Sequence, residues 1–78
     1  MGLEHKIKAI LEQELPGAQV EIEWNEDTEK VGGHIIWKGF AGRNCLRRQK
    51  RIFHLLRREL SKSEVRDISF IFTYTPTQ

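Results

Sequence analysis

The apolar residues of this chain change their spacing from segment to segment, and this order of periods limits the fold more than any other feature. In the first segment they recur three or four residues apart, as on one stripe of a helix: Leu3, Ile7, Ile10, Leu11 and Leu15. Pro16 and Gly17 follow, and this pair ends a helix because proline lacks an amide donor and glycine accepts left-handed backbone. Strict alternation then runs from Val20 to Trp24, which predicts a strand with its glutamates in solvent.

A second strand is predicted after a polar connection. Residues 25–33 are polar and acidic and end in two glycines, which predicts a hairpin loop longer than the usual two to five residues. The strand itself is expected over residues 34–38. Ile35 and Trp37 then lie on one face and Ile36 on the other.

A long amphipathic helix is predicted from about residue 43 to residue 60. One side collects its apolar residues, which are Cys45, Ile52, Phe53, Leu56 and Leu60. The opposite side, half a turn away, carries His54 and four arginines, Arg43, Arg47, Arg51 and Arg58. The serine-containing segment 61–64 is predicted to break this helix.

The last segment, residues 68–75, alternates again and predicts a third strand. One side of it carries Ile68, Phe70, Phe72 and Tyr74. Ile71 is expected with Ile36 on the opposite side of the sheet, which is then not wholly polar. The order helix–strand–strand–helix–strand predicts an α+β fold, with a three-stranded sheet carrying both helices on one face. At 78 residues the chain is expected to form a single domain spanning residues 1–78.

Charge divides most of this chain into an acidic half, residues 1–29, and a basic half, residues 30–58. Residues 1–29 carry eight acids and two lysines, residues 30–58 carry nine lysines and arginines with no acid, and the rest has a net charge of −1. A block of one sign attracts a partner of the other sign. From residue 43 to residue 58, arginine outnumbers lysine six to one, which favours forked contacts to phosphate or carboxylate.

A continuous motif spans the turn and the start of the long helix. The run from Phe40 to Lys50 aligns without gaps to a pattern of Phe, any residue, Gly, three variable positions, Leu, any residue and Arg-His-Arg. His34 precedes this run, and the residues Thr-Tyr-Thr-Pro at 73–76 close the last strand. On these residues the second half of the chain resembles the BolA-like family, small proteins with a fold akin to the class II KH domain.

The resemblance implies a non-enzymatic binding or regulatory module, such as a regulator of transcription. The implied partners are nucleic acid or a monothiol glutaredoxin, with which family members share a 2Fe-2S cluster, and His34 would then be one ligand of that metal cluster. Two departures indicate a divergent member. Gln49 replaces the histidine of Arg-His-Arg, and Arg66 or Asp67 stands where the family has the C-terminal histidine associated with cluster sharing.

The nucleic-acid hypothesis rests on the turn and on the basic side of the long helix. Residues 39–42 spell GxxG, the loop with which KH domains clamp a nucleic-acid backbone, although a plain strand-to-helix turn explains the same residues. The candidate contact residues are Gly39, Gly42, Arg43, Arg47, Arg48, Lys50, Arg51 and Arg58. The same arginines also suit an acidic protein partner, a second copy of this chain, or a solvated face partly paired with the acidic half.

The remaining candidate residues are given structural roles. Cys45 lies on the apolar stripe and is expected to be a buried thiol, Trp24 is assigned to the core, and the environment of Trp37 is left open. The sequence contains no phosphate-binding or dinucleotide motif, and no catalytic residue is identified, so the chain is not expected to be an enzyme. A single cysteine fits a reducing compartment and no apolar run approaches the roughly 18 residues of a membrane span, which together predict a cytoplasmic protein.

Overall fold

The α-helices and strands follow one another as the periodicity predicts, with one additional α-helix. The structure is a computed structural model that describes residues 2–76. Its elements are α1 (Gly2–Glu14), β1 (Gln19–Asn25), β2 (Lys30–Ile36), α2 (Cys45–Glu59), α3 (Lys62–Arg66) and β3 (Ile68–Tyr74). The short helix α3 was not predicted, and it begins inside the segment expected only to break the long helix.

The three strands form one mixed sheet in the order β1-β2-β3. β1 pairs with β2 in antiparallel fashion, and β2 pairs with β3 in parallel fashion. A parallel return to the sheet needs a long crossover, and α2 with α3 supplies it. The predicted α+β class and the three-stranded sheet are confirmed.

The connection between β1 and β2 is shorter than predicted. β2 already begins at Lys30, so Gly32 and Gly33 are strand residues and only residues 26–29 form the connection. A Cβ atom on Gly33 would collide with the backbone carbonyl of Glu21 on β1. Gly33 is therefore present because two strands approach closely, and the prediction of a long loop ending in two glycines was wrong.

The helices and one face of the sheet enclose a single apolar core. It contains Ile7, Leu11, Leu15, Val20, Val31, Ile35, Phe40, Ile52, Leu55, Leu56, Leu60, Ile68 and Ile71. Leu56 is fully buried as predicted, whereas Phe53 is only partly buried. Within residues 2–76, no helix combines the length and the apolar character needed to cross a bilayer.

The face assignment of β3 is the largest departure from the prediction. Ile71 is 0% exposed, whereas Phe70, Phe72 and Tyr74 are 43%, 53% and 46% exposed. The cause is a break in the β2–β3 register, in which Val31 faces Ile68 but Gly33 already faces Ile71. One extra residue on β3 reverses the alternation after it, as in a β-bulge. The three aromatic rings consequently lie on the face of the sheet that no helix covers.

Two further core assignments were wrong. Trp24, next to the end of β1, is 40% exposed. Cys45 is exposed although it has the right helical angle for burial. It is the first residue of α2, and residues 41–47 are all exposed, so no other element covers that turn.

The short helix α3 is held by a capping box and by an ion pair to α1. The Ser61 side chain accepts from the Glu64 amide, and the Glu64 carboxylate accepts from the Ser61 amide. The ammonium of Lys6 donates to the same carboxylate at 2.6 Å. The hydrogen bond from Lys6 and then that from Ser61 lower the pKa of Glu64 below its ordinary value.

Replacing Lys6 with alanine is expected to raise the titration midpoint of Glu64 towards that of an ordinary glutamate. Because the pKa is lowered in the folded state, these contacts stabilise the fold above the unfolded pKa and are lost as pH falls through the folded pKa. NMR titration of the Glu64 carboxyl carbon measures the midpoint. Lys8→Ala is the control on the same helix, and an equal shift in both variants would contradict the assignment to Lys6.

Candidate nucleic-acid interface

Glycine stands at each of the two positions of the GxxG turn for a different structural reason. Residues 38–40 form one turn of 3-10 helix, and Phe40 within it is fully buried in the core. A Cβ on Gly39 would run into the ring of Trp37. Gly42 has a φ of 78° and open space around the position of a Cβ. The turn between β2 and α2 is confirmed, and of its two glycines Gly42 offers an accessible backbone.

Trp37 anchors this turn to the rest of the molecule. Its indole N–H donates to the carbonyl of Pro16 at 3.0 Å, and its ring meets Phe40 edge-on at 5.2 Å between centroids. Trp37, whose environment the sequence left open, therefore lies at the margin of the core. The turn that leads into α2 is fixed by these contacts.

The first turn of α2 projects into solvent. The side chain of Asn44 caps the helix by accepting from the Arg47 amide at 2.9 Å. Arg43 and Arg47 flank this start, where the unpaired amides and the helix dipole also favour anions. Leu46 between them is 63% exposed.

Two of the candidate cations are bound within the molecule. Arg48 donates from Nε to the Arg43 carbonyl at 2.8 Å and from Nη1 to the Thr73 carbonyl at 3.1 Å. Arg58 pairs with Glu14 at 3.3 Å and with Glu59 at 3.6 Å. Among the described residues, the pair with Glu14 is the only ion pair between α2 and the acidic half, and it lies at the C-terminal end of the helix.

The remaining candidate cations form a surface that we call the basic face, comprising Arg43, Arg47, Lys50 and Arg51. The first three side chains make no hydrogen bond or ion pair with any residue in the range 2–76. The guanidinium of Arg51 lies over the ring of Trp37 at 5.8 Å, which leaves its N–H groups available at the rim. All four side chains are exposed, so the basic face can meet several phosphates at once.

Gln49, which replaces a family histidine, has a structural role in this chain. Its side-chain amide donates to the carbonyl of Ile71 at 2.7 Å. Together with the bond from Arg48 to Thr73, this closes part of the outer edge of β3. No feature of the sequence indicates these two bonds, because they depend on how close α2 lies to β3.

The resemblance proposes His34 as a metal ligand. His34 lies on the helix-free face of the sheet, with the ring of Tyr74 edge-on at 6.1 Å. In the described part of the chain, no three His, Cys, Asp or Glu side chains lie together as a metal site would need. At Asp67, one of the two residues that stand where the family has its C-terminal histidine, the backbone carbonyl accepts from the Val31 amide at 2.7 Å. The described side chains therefore do not form a complete iron–sulfur site by themselves.

Comparison with known proteins adds information at the level of structure. No family model matches the chain, and no curated protein matches it in sequence. Among solved structures, BolA1 from Arabidopsis thaliana superposes with a TM-score of 0.74 and 26% identity, over 97% of this chain and 94% of that one. The BolA domain of SufE1 from Arabidopsis thaliana gives a TM-score of 0.76 and 23% identity, over 95% and 92%. The second likeness shows the fold alone, and the two agree on it over nearly the whole chain.

Proposed function

We propose that this chain, which has the fold of the BolA proteins, is a non-enzymatic BolA-like module that binds nucleic acid through the basic face of α2. One observation carries the proposal. Arg43, Arg47 and Lys50 at the start of α2 are exposed and unpaired among the described residues, although the same molecule carries an acidic half that could have neutralised them. A surface that keeps such a field open attracts a polyanion.

The contacts would be made mainly to phosphate. Arg43 and Arg47 would each present a planar fork that matches phosphate oxygens, and Lys50 would add a point charge. The exposed backbone at Gly42 lets a phosphate approach without hindrance from a side chain. Gly39 is covered by Trp37 and would support the turn, while Arg48 and Arg58 would contribute at the margins.

Binding of this kind has a weak sequence preference and a steep dependence on salt, because it releases condensed counterions. Three unpaired cations predict a slope of log K against log salt of about −2 to −3. Affinity should then fall roughly 16- to 64-fold between about 50 and 200 mM salt. An affinity that is constant over this range would contradict a phosphate mechanism.

Reversing two charges of the basic face, in Arg47→Glu with Lys50→Glu, is expected to weaken binding to short DNA and RNA by at least about tenfold. Fluorescence anisotropy with labelled oligonucleotides measures the loss. Both side chains are exposed and unpaired among the described residues, so thermal unfolding should be unchanged. The matched control is Lys62→Glu with Arg66→Glu, the same charge change on α3.

Equal losses in the two double variants would reduce the effect to net charge and contradict a specific surface. If the natural chain binds acidic polypeptides such as polyglutamate but no oligonucleotide, the acidic-protein alternative replaces this proposal. The proposed compartment is the cytoplasm, where the exposed Cys45 would stay reduced.

A monothiol glutaredoxin is the alternative partner. Because no three metal donors lie together among the described side chains, such a partner would have to supply nearly all the ligands beside His34. The unpaired basic face is the reason to favour nucleic acid. A homodimer through the acidic and basic halves uses the same charges and competes with nucleic acid for them.

A further inference from the structure

The helix-free face of the sheet exposes a row of aromatic side chains. We call Phe70, Phe72 and Tyr74 the aromatic row; their exposed fractions lie between 43% and 53%. Successive rings contact one another, with centroids 4.7 Å apart for Phe70 and Phe72 and 6.4 Å apart for Phe72 and Tyr74. A contiguous exposed patch of this kind on a small soluble domain usually marks a binding surface.

The side chains of the helix-free face change from acidic at the β1 edge to aromatic at the β3 edge. On the central strand, His34 and Ile36 lie in register with Phe72 and Tyr74. On β1, at the far edge, Glu21 is paired with His34. A ligand with an anionic backbone is therefore repelled by the β1 side and accepted only along the β3 side.

A cation lies at the β3 side of the aromatic row. Arg48 donates to the carbonyl of Thr73, the residue between Phe72 and Tyr74. Arg47, which directly precedes Arg48 in sequence, belongs to the basic face. The guanidinium of Arg48 thus links the two surfaces around the outer edge of β3.

We infer that the aromatic row stacks the bases of a single-stranded nucleic acid whose phosphates follow Arg48 and the basic face. This inference rests on the proposed function and names its substrate class. Aromatic rings on a sheet stack unpaired bases of any sequence because every base has a π-face. A polypeptide of Asp and Glu alone, such as polyglutamate, would match the cations but would bring no ring to stack on the aromatic row.

The spacing of the rings favours an extended strand. The ring centroids lie 4.7 Å apart for Phe70 and Phe72 and 6.4 Å apart for Phe72 and Tyr74, wider than the roughly 3.4 Å separation of neighbouring bases in one strand of a duplex. A single strand can open its bases to this spacing, one base to a ring. A duplex cannot do so without losing its own pairing and stacking, so it would use the basic face alone.

The test compares labelled oligothymidylate of about ten nucleotides with a duplex of equal length by fluorescence anisotropy. Phe72→Ala is expected to weaken binding of the single strand about tenfold and to leave duplex binding unchanged. Phe72→Trp keeps a stacking ring and should retain the affinity. Trp24→Ala, which removes a ring of similar exposure outside the row and outside the basic face, is the matched control and should change neither affinity.

The outcomes separate this inference from the function on which it rests. If the natural chain binds neither oligonucleotide, the proposed function fails and this inference with it. If Arg47→Glu with Lys50→Glu weakens both complexes while Phe72→Ala weakens neither, the function stands and the stacking surface is overturned. Equal weakening of single strand and duplex by Phe72→Ala also overturns it, because that pattern has no base-stacking component.

Discussion

Replacing Ile71 with alanine is expected to lower the free energy of unfolding by about 2–5 kcal/mol, because it removes a fully buried side chain and leaves a cavity. The adjacent change Phe72→Ala, at a half-exposed ring, should cost less than about 1 kcal/mol. Urea unfolding followed by tryptophan fluorescence or circular dichroism gives both values. For a chain of this length the total stability is about 4–12 kcal/mol, so the first change removes a large share of it.

This pair of variants tests the face assignment of β3 directly. The alternation read from the sequence placed Phe72 and its neighbours on one side and Ile71 on the other, helix-free side of the sheet. The structure puts Ile71 in the core. A larger loss for Phe72→Ala than for Ile71→Ala would mean that the aromatic row is the buried side, and the stacking surface would then be lost as well.

Introducing a single methyl group at Gly33 is expected to destabilise the fold by about 3 kcal/mol or more. A Cβ there meets the carbonyl oxygen and carbon of Glu21 and the Cα of Ile22, all of which are backbone atoms that cannot rotate away. Strain of this kind costs about 1–3 kcal/mol in an adaptable core and more where backbone must move. The unfolding midpoint of Gly33→Ala in urea measures it.

Gly2→Ala is the matched control for this prediction. Gly2 begins α1 and has no atom within 4 Å of a Cβ position, so alanine there should change stability by no more than about 0.5 kcal/mol. A Gly33→Ala variant as stable as the natural chain would show that β1 and β2 can separate locally. The close approach of these strands would then not explain the glycine.

The substitutions at Ile71 and Gly33 both test features of the fold on which the proposed stacking surface depends. The aromatic row faces solvent only because Ile71 occupies the core, and the register break beside Gly33 is what turns it inwards. Loss of that register would exchange the two sides of β3 beyond the break. The surface proposed to stack bases and the core therefore depend on the same local irregularity.

The elements that local periodicity specifies were predicted well. The stripe on α1 and its end at Pro16 and Gly17 are confirmed, and Gly17 has the expected positive φ of 84°. The amphipathic character of α2 is also confirmed, with its bounds shifted by two residues at the start and one at the end. These features depend on residues within one or two helical turns of each other, so the local sequence is enough to predict them.

One missed element was readable. Ser61 followed by Glu64 is the spacing of a capping box, which marks the start of a helix, and α3 begins there. The polarity of residues 61–64 favours a helix break, whereas the spacing of Ser61 and Glu64 favours the start of a new helix. The structure shows both the break and the new helix, because α2 ends at Glu59 and α3 starts at Lys62.

By itself, the sequence determined the order of helices and strands, the separation of charge into two halves and the motif that indicates a BolA-like fold. It did so because periodicity, capping and charge are local properties. Only the tertiary structure decided which of the α2 cations are bound internally, that Cys45 is exposed and that the aromatic side of β3 faces solvent. Those outcomes depend on distances between segments far apart in the chain and on a one-residue shift in strand pairing, which no local pattern encodes.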